Sequence, residues 1–181
     1  MKNETLVKVK TGKPKADSFS KILELRHSII HEGTDEVQGT EHRLEFITTI
    51  AGVDYINDSK ATNLNLTWYS LERMTKPIIW ITSGLEQGQD YSMLKEMVGD
   101  KVKAIICLGK DNSKLFKTFV SKVEVIIAAF NAEEAVISAQ SVAETGDVVL
   151  LSPGCSSFDL FDSYEDRGTK FKKAVKKLKK L

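Results

Sequence analysis

The second half of the chain alternates between short apolar runs and longer amphipathic segments. The apolar runs predict β-strands at 77–81, 102–108, 123–128 and 148–151. The intervening segments predict helices at 92–98, 112–120 and 131–143, with a last helix from about Tyr164 onwards. Fully apolar strands separated by helices are typical of parallel βαβ units. The pattern therefore predicts an α/β fold with a Rossmann-like, doubly wound sheet.

The segment before these units has a different pattern. Residues 43–50 alternate loosely between apolar and polar side chains, and 53–56 repeat this alternation after Ala51-Gly52. Two such segments around a short turn predict a β-hairpin. A helix is predicted from Thr62 to Met74, with Thr62 or Asn63 as its N-cap. The predicted sheet is thus mostly parallel, with an antiparallel hairpin at its entrance.

The first 40 residues lack this order. The Lys-rich stretch up to residue 20 has no periodicity, and only 19–30 show approximate helical spacing. We therefore expect residues 1–40 to be a poorly ordered lead-in that contains the remnant of a preceding domain's last helix and linker. Residues 41–181 are expected to form the main domain.

Composition excludes some classes of protein. The chain has 181 residues and a net charge of +1, whereas a general nucleic-acid binder needs a clear cationic surplus. Only two cysteines occur, and no apolar stretch has the length of a signal peptide core or a membrane span. These features predict a cytoplasmic protein that binds neither nucleic acid nor membrane.

Three loops follow predicted strands at the edge where doubly wound sheets bind ligands. The loop 57–63 combines Asp58 and Lys60 with a helix N-terminus, an arrangement that suits a carboxylate or phosphate. The alternative is that Asp58 and Thr62 only cap the helix and Lys60 is solvated. The loop 82–90 is interpreted as a simple turn, and 151–159 as an anion-accepting turn.

Other candidate chemistry is weaker. Cys155 has no histidine in its half of the chain, which argues against a Cys/His pair. His27 and His31 are four residues apart but have no apparent third ligand, so we predict no metal site. The lysine-rich segment 170–181 carries one apolar stripe, which favours a helix packed on the sheet over membrane or partner binding.

Four ordered motifs resemble the C-terminal domain of the Mur ligase family, and most of all its D-glutamate-adding branch. They are His42-Arg43-Leu44-Glu45-Phe46; Tyr55 to Asn63, which reads YINDSKATN; Leu150 to Asp159, from LLSP to SFD; and Phe161 with Tyr164-Glu165-Asp166-Arg167-Gly168. The resemblance runs from about residue 41 to the end of the chain.

The resemblance implies one domain of a three-domain, ATP-dependent ligase of peptidoglycan synthesis. The implied partners are D-glutamate, UDP-N-acetylmuramoyl-L-alanine, and the N-terminal and central ATPase domains. The reaction would pass through an acyl phosphate that the amine of D-glutamate attacks. ATP and Mg²⁺ are implied for the full enzyme, with neither held by this chain alone.

The resemblance also implies roles for individual residues. Thr62, Ser157 and Tyr164 would contact D-glutamate. Asp58 and Lys60 would be catalytic and, with Arg43, would lie toward the nucleotide and its phosphates. His42 would lie at the interdomain hinge.

Two departures from the family pattern define the alternatives. Gln87 stands where the family has a lysine that contacts the amino-acid carboxylate, so we expect Gln87 to contact substrate with a neutral amide. No GxxxxGK[ST] phosphate-binding motif occurs in the chain, so catalysis by these residues alone is not expected. The alternative is a truncated, non-catalytic relative that acts as a binding module. A nucleotide-binding module of another class is disfavoured, because the first βα turn lacks the glycine fingerprint.

Overall fold

The computed structural model describes residues 40–84 and 90–179, which form one six-stranded sheet with helices on both faces. The lead-in predicted before residue 40, as well as His27, His31 and Gln87, lie outside the described residues. The strands are β1 (Glu45–Ile50), β2 (Val53–Asn57), β3 (Ile78–Thr82), β4 (Val102–Leu108), β5 (Val125–Ala129) and β6 (Val148–Leu151). The helices are α1 (Leu64–Arg73), α2 (Lys95–Lys101), α3 (Ser113–Phe119), α4 (Ala132–Val142) and α5 (Tyr164–Leu178), and a 3₁₀ turn covers Tyr91–Leu94.

The strand order is β1-β2-β6-β3-β4-β5. Only the β1–β2 pair is antiparallel, and its register shifts between Phe46 and Thr48. The last strand, β6, pairs in parallel with β2 on one side and with β3 on the other. The predicted mostly parallel sheet with an antiparallel entry hairpin is confirmed.

The central strands are buried on both faces, as their continuous apolar sequences predict. Along β3, Ile79 and Ile81 join the core cluster beneath α4 and α5. Trp80 points to the opposite face, where its ring lies edge-on to Phe119 of α3 at 5.8 Å between centroids. Full burial of one such large side chain is worth about 1.5–3 kcal/mol, so β3 anchors both layers.

Asparagine caps fix two of the helix starts. The Asn63 side chain accepts from Leu66 N at 3.0 Å, so Asn63 is the N-cap, one of the two predicted candidates, and α1 begins at Leu64. Asn131 accepts from Glu134 N at 2.9 Å, which caps the start of α4. Glu134 Oε2 in turn accepts a hydrogen bond from the backbone amide of Phe130, one residue before the cap.

Lys101 provides hydrogen-bond donors for the C-terminal end of α1. Lys101 Nζ donates to the carbonyl oxygens of Leu71, Glu72 and Met74 at 3.4, 2.6 and 3.0 Å. The last carbonyls of a helix have no intrahelical partner and carry partial negative charge, so this ammonium group offsets both. The contact lies at the amino-end edge of β3 and β4, opposite the strand ends where ligands are expected.

The basic C-terminal helix packs on the sheet, as the sequence predicts. Phe171, Ala174 and Val175 of α5 are buried in the main cluster, while Lys173 and Lys176 are exposed. None of the helices described here is long and apolar enough to cross a membrane.

Candidate anion-binding site at the carboxyl edge of the sheet

The loops after β2 and β6 lie side by side because these strands are parallel neighbours. Asn57 is in register with Leu151 at the two strand ends. Two backbone bonds continue the pairing into the loops: Asp58 N donates to Leu151 O at 2.8 Å, and Gly154 N donates to Ala61 O at 2.9 Å. The first and third candidate loops of the sequence are therefore joined at one edge.

Asp58 is the buried centre of this edge. Its Oδ1 accepts from Arg43 Nη1 at 2.8 Å and from the backbone amide of Leu44 at 3.2 Å. Its Oδ2 accepts from the hydroxyls of Ser70 and Ser152 at 2.5 and 2.9 Å. All of these donors come from segments outside the 57–63 loop, so Asp58 ties that loop to the segment before β1, to α1 and to the loop after β6.

Burial and these contacts act in opposite directions on the Asp58 carboxyl. Burial raises its pKa, while the Arg43 guanidinium and the hydroxyl and amide donors lower it. Both carboxylate oxygens are occupied by protein donors. The side chain therefore faces the protein interior and presents no free oxygen to a ligand.

Arg43 retains one unused donor. Its Nη1 is paired with Asp58, its guanidinium lies 5.6 Å from the Tyr69 ring centroid, and its buried Nη2 has no hydrogen-bond partner among the described residues. A buried guanidinium normally places its donors on acceptors, so Nη2 is a buried donor group that no described residue uses.

Lys60 presents a second cation to the same edge. Its backbone amide donates to His42 O at 3.0 Å, which holds it beside the Arg43 segment. Its side chain is exposed and forms no ion pair with a described residue. Thr62 is half-buried two residues later. Within the loop, the acidic side chain is therefore buried and the basic one is exposed.

The other predicted substrate contacts lie on the adjoining segments. Ser157 is buried in the loop after β6, and Tyr164 is half-buried at the first residue of α5. The Tyr164 ring stands edge-on to the imidazole of His42 at 6.3 Å between centroids. Arg43, Lys60, Thr62, Ser157 and Tyr164 therefore all lie at the carboxyl edge or beside it.

His42 is held in a strained backbone position with φ of 65°. Its Nδ1 lies 2.8 Å from Asn57 Nδ2, and its backbone amide donates to Glu45 Oε2 at 2.9 Å. Burial lowers the pKa of His42, which favours the neutral imidazole. Its predicted role at a hinge stays a prediction, since the preceding segment lies outside the described residues.

Sequence reasoning missed the residue that joins the two loops. Arg167 of α5 is 1% exposed and donates to the carbonyl oxygens of Ser59, Cys155 and Ser156. Its position in a helix of mixed charge gave no sign of burial. Arginine is almost never fully buried without partners, so burial of Arg167 was not the expectation. Its place in the fourth family motif is the one signal that could have found it.

The described residues do not form a metal site. In 40–84 and 90–179, no three His, Cys, Asp or Glu side chains lie together in a way that could hold an ion. Cys155 and Cys107 are both buried and unbridged. The polar groups that remain exposed or half-buried at this edge include the ammonium of Lys60 and the hydroxyl of Thr62.

Comparison with known proteins shows the family to which the chain is related. Residues 42–155 match a family model described as Mur ligase, glutamate ligase domain. The chain is 48% identical, over 90% of its length, to a UDP-N-acetylmuramoylalanine--D-glutamate ligase of Christiangramia forsetii, of which it covers 37%. It is 47% identical, over 86% of its length, to the enzyme of the same name from Porphyromonas gingivalis, of which it covers 35%.

The chain thus spans about a third of the length of the curated relatives that it matches. Among solved structures, MurF from Acinetobacter baumannii has 17% identity and a TM-score of 0.48, over 92% of this chain and 36% of that chain. A TM-score of this size is too low to support a functional comparison.

Proposed function

This chain belongs to the Mur ligase family, whose glutamate ligase domain it contains, and from this we propose that it is the amino-acid-binding domain of an ATP-dependent ligase. The proposed reaction joins D-glutamate to UDP-N-acetylmuramoyl-L-alanine in peptidoglycan synthesis, in the cytoplasm. The N-terminal and central ATPase domains are its proposed partners, and the isolated chain is proposed to be inactive.

The proposed reaction has two steps. The carboxylate of the alanyl precursor attacks the γ-phosphorus of ATP, which forms an acyl phosphate and releases ADP. The amine of D-glutamate, after losing a proton, attacks the acyl carbon, and phosphate leaves as the amide bond forms. Both transition states concentrate negative charge on oxygen, so cations and fixed donors at that point lower the barrier.

Lys60 and Arg43 supply cationic donors for those oxygens. Lys60 is exposed and unpaired among the described residues. Its flexible side chain can therefore keep the ammonium group close to the negatively charged phosphate oxygens in both steps of the reaction. Arg43 is fixed by Asp58, and its buried Nη2 has no acceptor among the described residues. We therefore propose that Lys60 is catalytic and that Arg43 binds the nucleotide phosphates.

Asp58 receives a narrower role than the family resemblance implies. Both of its oxygens already accept hydrogen bonds from the protein, so a direct contact with a nucleotide would require breaking one of them. We propose that Asp58 orients Arg43 and joins the loops, and that it acts on catalysis through Arg43.

The incoming D-glutamate is proposed to lie between the loops after β2 and β6. The hydroxyl of Thr62, the hydroxyl of Ser157 and the first turn of α5 at Tyr164 are its proposed contacts. Two carboxylates need donors at two separated points, and these loops provide them. Gln87 remains a proposed contact on resemblance alone.

The described residues fit the anionic part of ATP better than its metal. The Nη2 group of Arg43 and the ammonium of Lys60, neither of which is paired with another described residue, suit phosphate oxygens. No described cluster of acidic or histidine residues suits Mg²⁺. We therefore propose that the metal is held by the preceding ATPase domain, and that this chain supplies cationic charge from the opposite side.

The observation that carries the proposal is the pair of cationic groups with unused donors, Lys60 and Arg43, fixed next to each other by the bond from Lys60 N to His42 O. The test is an amide NMR titration of the chain with D- and L-glutamate. Selective shifts at Thr62, Ser157 and Tyr164 with the D enantiomer would support the proposal. Equal shifts with both enantiomers would contradict stereoselective binding.

Gln87 favours a second candidate function. A neutral amide in place of the family lysine removes a charge-assisted bond, and such a chain can keep the fold as a binding module without ligase activity. That candidate predicts no glutamate response, in the chain itself or in its Gln87→Lys variant. A response in either one would exclude it.

A further inference from the structure

The guanidinium of Arg167 connects the backbone of two loops. Its Nη2 donates to Ser59 O at 2.9 Å, its Nη1 donates to Ser156 O at 3.1 Å, and both nitrogens lie 3.3 Å from Cys155 O. The first acceptor belongs to the loop after β2 and the other two belong to the loop after β6. One side chain therefore spans the gap between the loops.

Ser59 extends the connection to the start of α5. Its hydroxyl accepts from Arg167 Nε at 3.0 Å and donates to Tyr164 O at 2.7 Å. Since Tyr164 and Arg167 lie in the same helical turn, the contacts close a ring through Ser59. The backbone at 59, at 155–156 and at 164 is therefore held as one unit.

Each of these segments carries one proposed substrate contact. Thr62 follows Ser59 by three residues, Ser157 follows Ser156 directly, and Tyr164 is itself the acceptor. No side-chain bond joins Arg167 to the hydroxyl of Thr62, Ser157 or Tyr164 in the described residues. Arg167 acts on the backbone that places these groups, and not on the groups themselves.

From this geometry we propose that Arg167 is a positioning residue that sets the spacing between the two carboxylate-binding loops and so selects the length of the dicarboxylic amino acid. The inference rests on the proposed function of the edge. Glutamate and aspartate differ by one methylene between their carboxyl groups. A misplacement of about 1 Å can cost a hundredfold in rate, so a fixed gap distinguishes these two ligands.

The connection requires a guanidinium. Its planar fork presents five donors in fixed directions, which lets it serve carbonyls of two loops and the Ser59 hydroxyl at once. A lysine ammonium is a point charge with three rotating donors, and the lysine side chain is shorter than that of arginine. Arg167→Lys therefore keeps the charge but loosens the spacing.

The first test uses the chain without ligand. In Arg167→Lys, the amide signals of 58–63 and of 155–158 should shift together and broaden, while those of β3 and β4 stay in place. The matched control is Lys101→Met, which removes a cation bonded to three carbonyls at the opposite edge of the sheet. Unmoved loop signals in a folded Arg167→Lys would overturn the proposal.

The second test measures ligand length. Arg167→Lys should weaken D-glutamate binding by about tenfold or more and reduce the preference for D-glutamate over D-aspartate, whereas Lys101→Met should change neither. An unchanged preference in Arg167→Lys, despite weaker binding, would show that Arg167 only stabilises the fold and would overturn the proposal.

Two outcomes separate this inference from the proposed function. If the unmodified chain ignores D-glutamate while the loops still move together in Arg167→Lys, the substrate assignment fails and the coupling of the loops stands. If Arg167→Lys does not fold, Ser59→Ala removes only the hydroxyl between Arg167 and Tyr164. Coupled shifts at 155–158 and 164 in Ser59→Ala would support the inference, and shifts confined to 58–60 would overturn it.

Discussion

Gly168 faces the imidazole of His42 with no room for a side chain between them. A Cβ placed on residue 168 would overlap the Nδ1 atom and contact the neighbouring ring carbons. That nitrogen is already joined to Asn57, so the ring cannot move away without losing the contact. The start of α5 thus packs directly against the His42 ring, in the segment just before β1.

This contact predicts an unusual sign for a helical glycine. Gly→Ala within a helix ordinarily stabilises a protein by about 0.5–1 kcal/mol. Gly168→Ala should instead destabilise the fold by about 1–3 kcal/mol, because overpacking displaces His42. Urea denaturation of both proteins measures the difference in free energy of unfolding.

Gly99 of α2 is the matched control for that experiment. A Cβ there would meet only the flexible Lys122 side chain at 3.5 Å, an ordinary contact. Gly99→Ala should therefore be neutral or stabilising. If both variants are stabilised, the close approach of Gly168 to His42 does not constrain the fold.

The buried Asp58 predicts a large loss of stability on neutralisation. Asp58→Asn leaves the Arg43 guanidinium buried without its counter-charge and disturbs four hydrogen bonds, so we expect a loss of about 3–5 kcal/mol. Asp54→Asn is the control, because its partner Lys76 is about half exposed and such surface pairs are worth about 0–1 kcal/mol. Equal losses in thermal or urea unfolding would contradict the central role of Asp58.

Cys107 predicts a loss of stability in alkali. Burial raises the pKa of its thiol from 9.0 to about 12, so the unfolded chain ionises first as pH rises. The unfolded state then binds fewer protons, and stability falls through the window between these values. By pH 10 the expected loss is about 1.4 kcal/mol relative to neutral pH.

Urea unfolding under reducing conditions at pH 7 to 10 measures this loss. Cys107→Ala should start from a lower stability but show a flatter pH dependence. Tyr55 contributes mainly above pH 10, because burial raises its pKa from 10.0 to about 12. Identical slopes in the two proteins below pH 10 would mean that Cys107 does not titrate as its burial requires.

Gln87 allows a gain-of-function prediction. Gln87→Lys adds the cation that the family resemblance places there, and it should tighten D-glutamate binding by about fivefold through one charge-assisted bond. Gln89→Lys adds the same charge two residues later and serves as the control. Equal tightening by both variants in calorimetry would indicate a general effect of charge and not a specific contact.

The sequence predicted the strands well but not their order. Runs such as 102–108 and 148–151 are so apolar that only burial on both faces accommodates them, and both proved to be strands at those limits. The place of β6 between β2 and β3 depends on pairing across more than 65 residues. Periodicity within a segment carries no information about such pairing.

The candidate site, like the fold, could be predicted from the sequence only in part. The loop after β2 could be identified because Asp58 and Lys60 stand together beside a helix start. Their opposite burial could not be predicted, because it depends on Arg43, Ser70 and Ser152 arriving from distant segments. The role of Arg167 was hidden for the same reason, since its acceptors are backbone atoms that sequence motifs do not reveal.

The position of β6 has a consequence for how the chain folds during synthesis. Among the six described strands, β6 is made last, yet it alone joins the β1–β2 hairpin to the β3-β4-β5 sheet. Until residue 151 leaves the ribosome, β2 and β3 each present an open edge that can pair with another nascent chain. A polypeptide that stops before 148 would hold two separate half-sheets. Pairing of β6 with both half-sheets, followed by packing of α5, therefore competes with aggregation of the nascent chain.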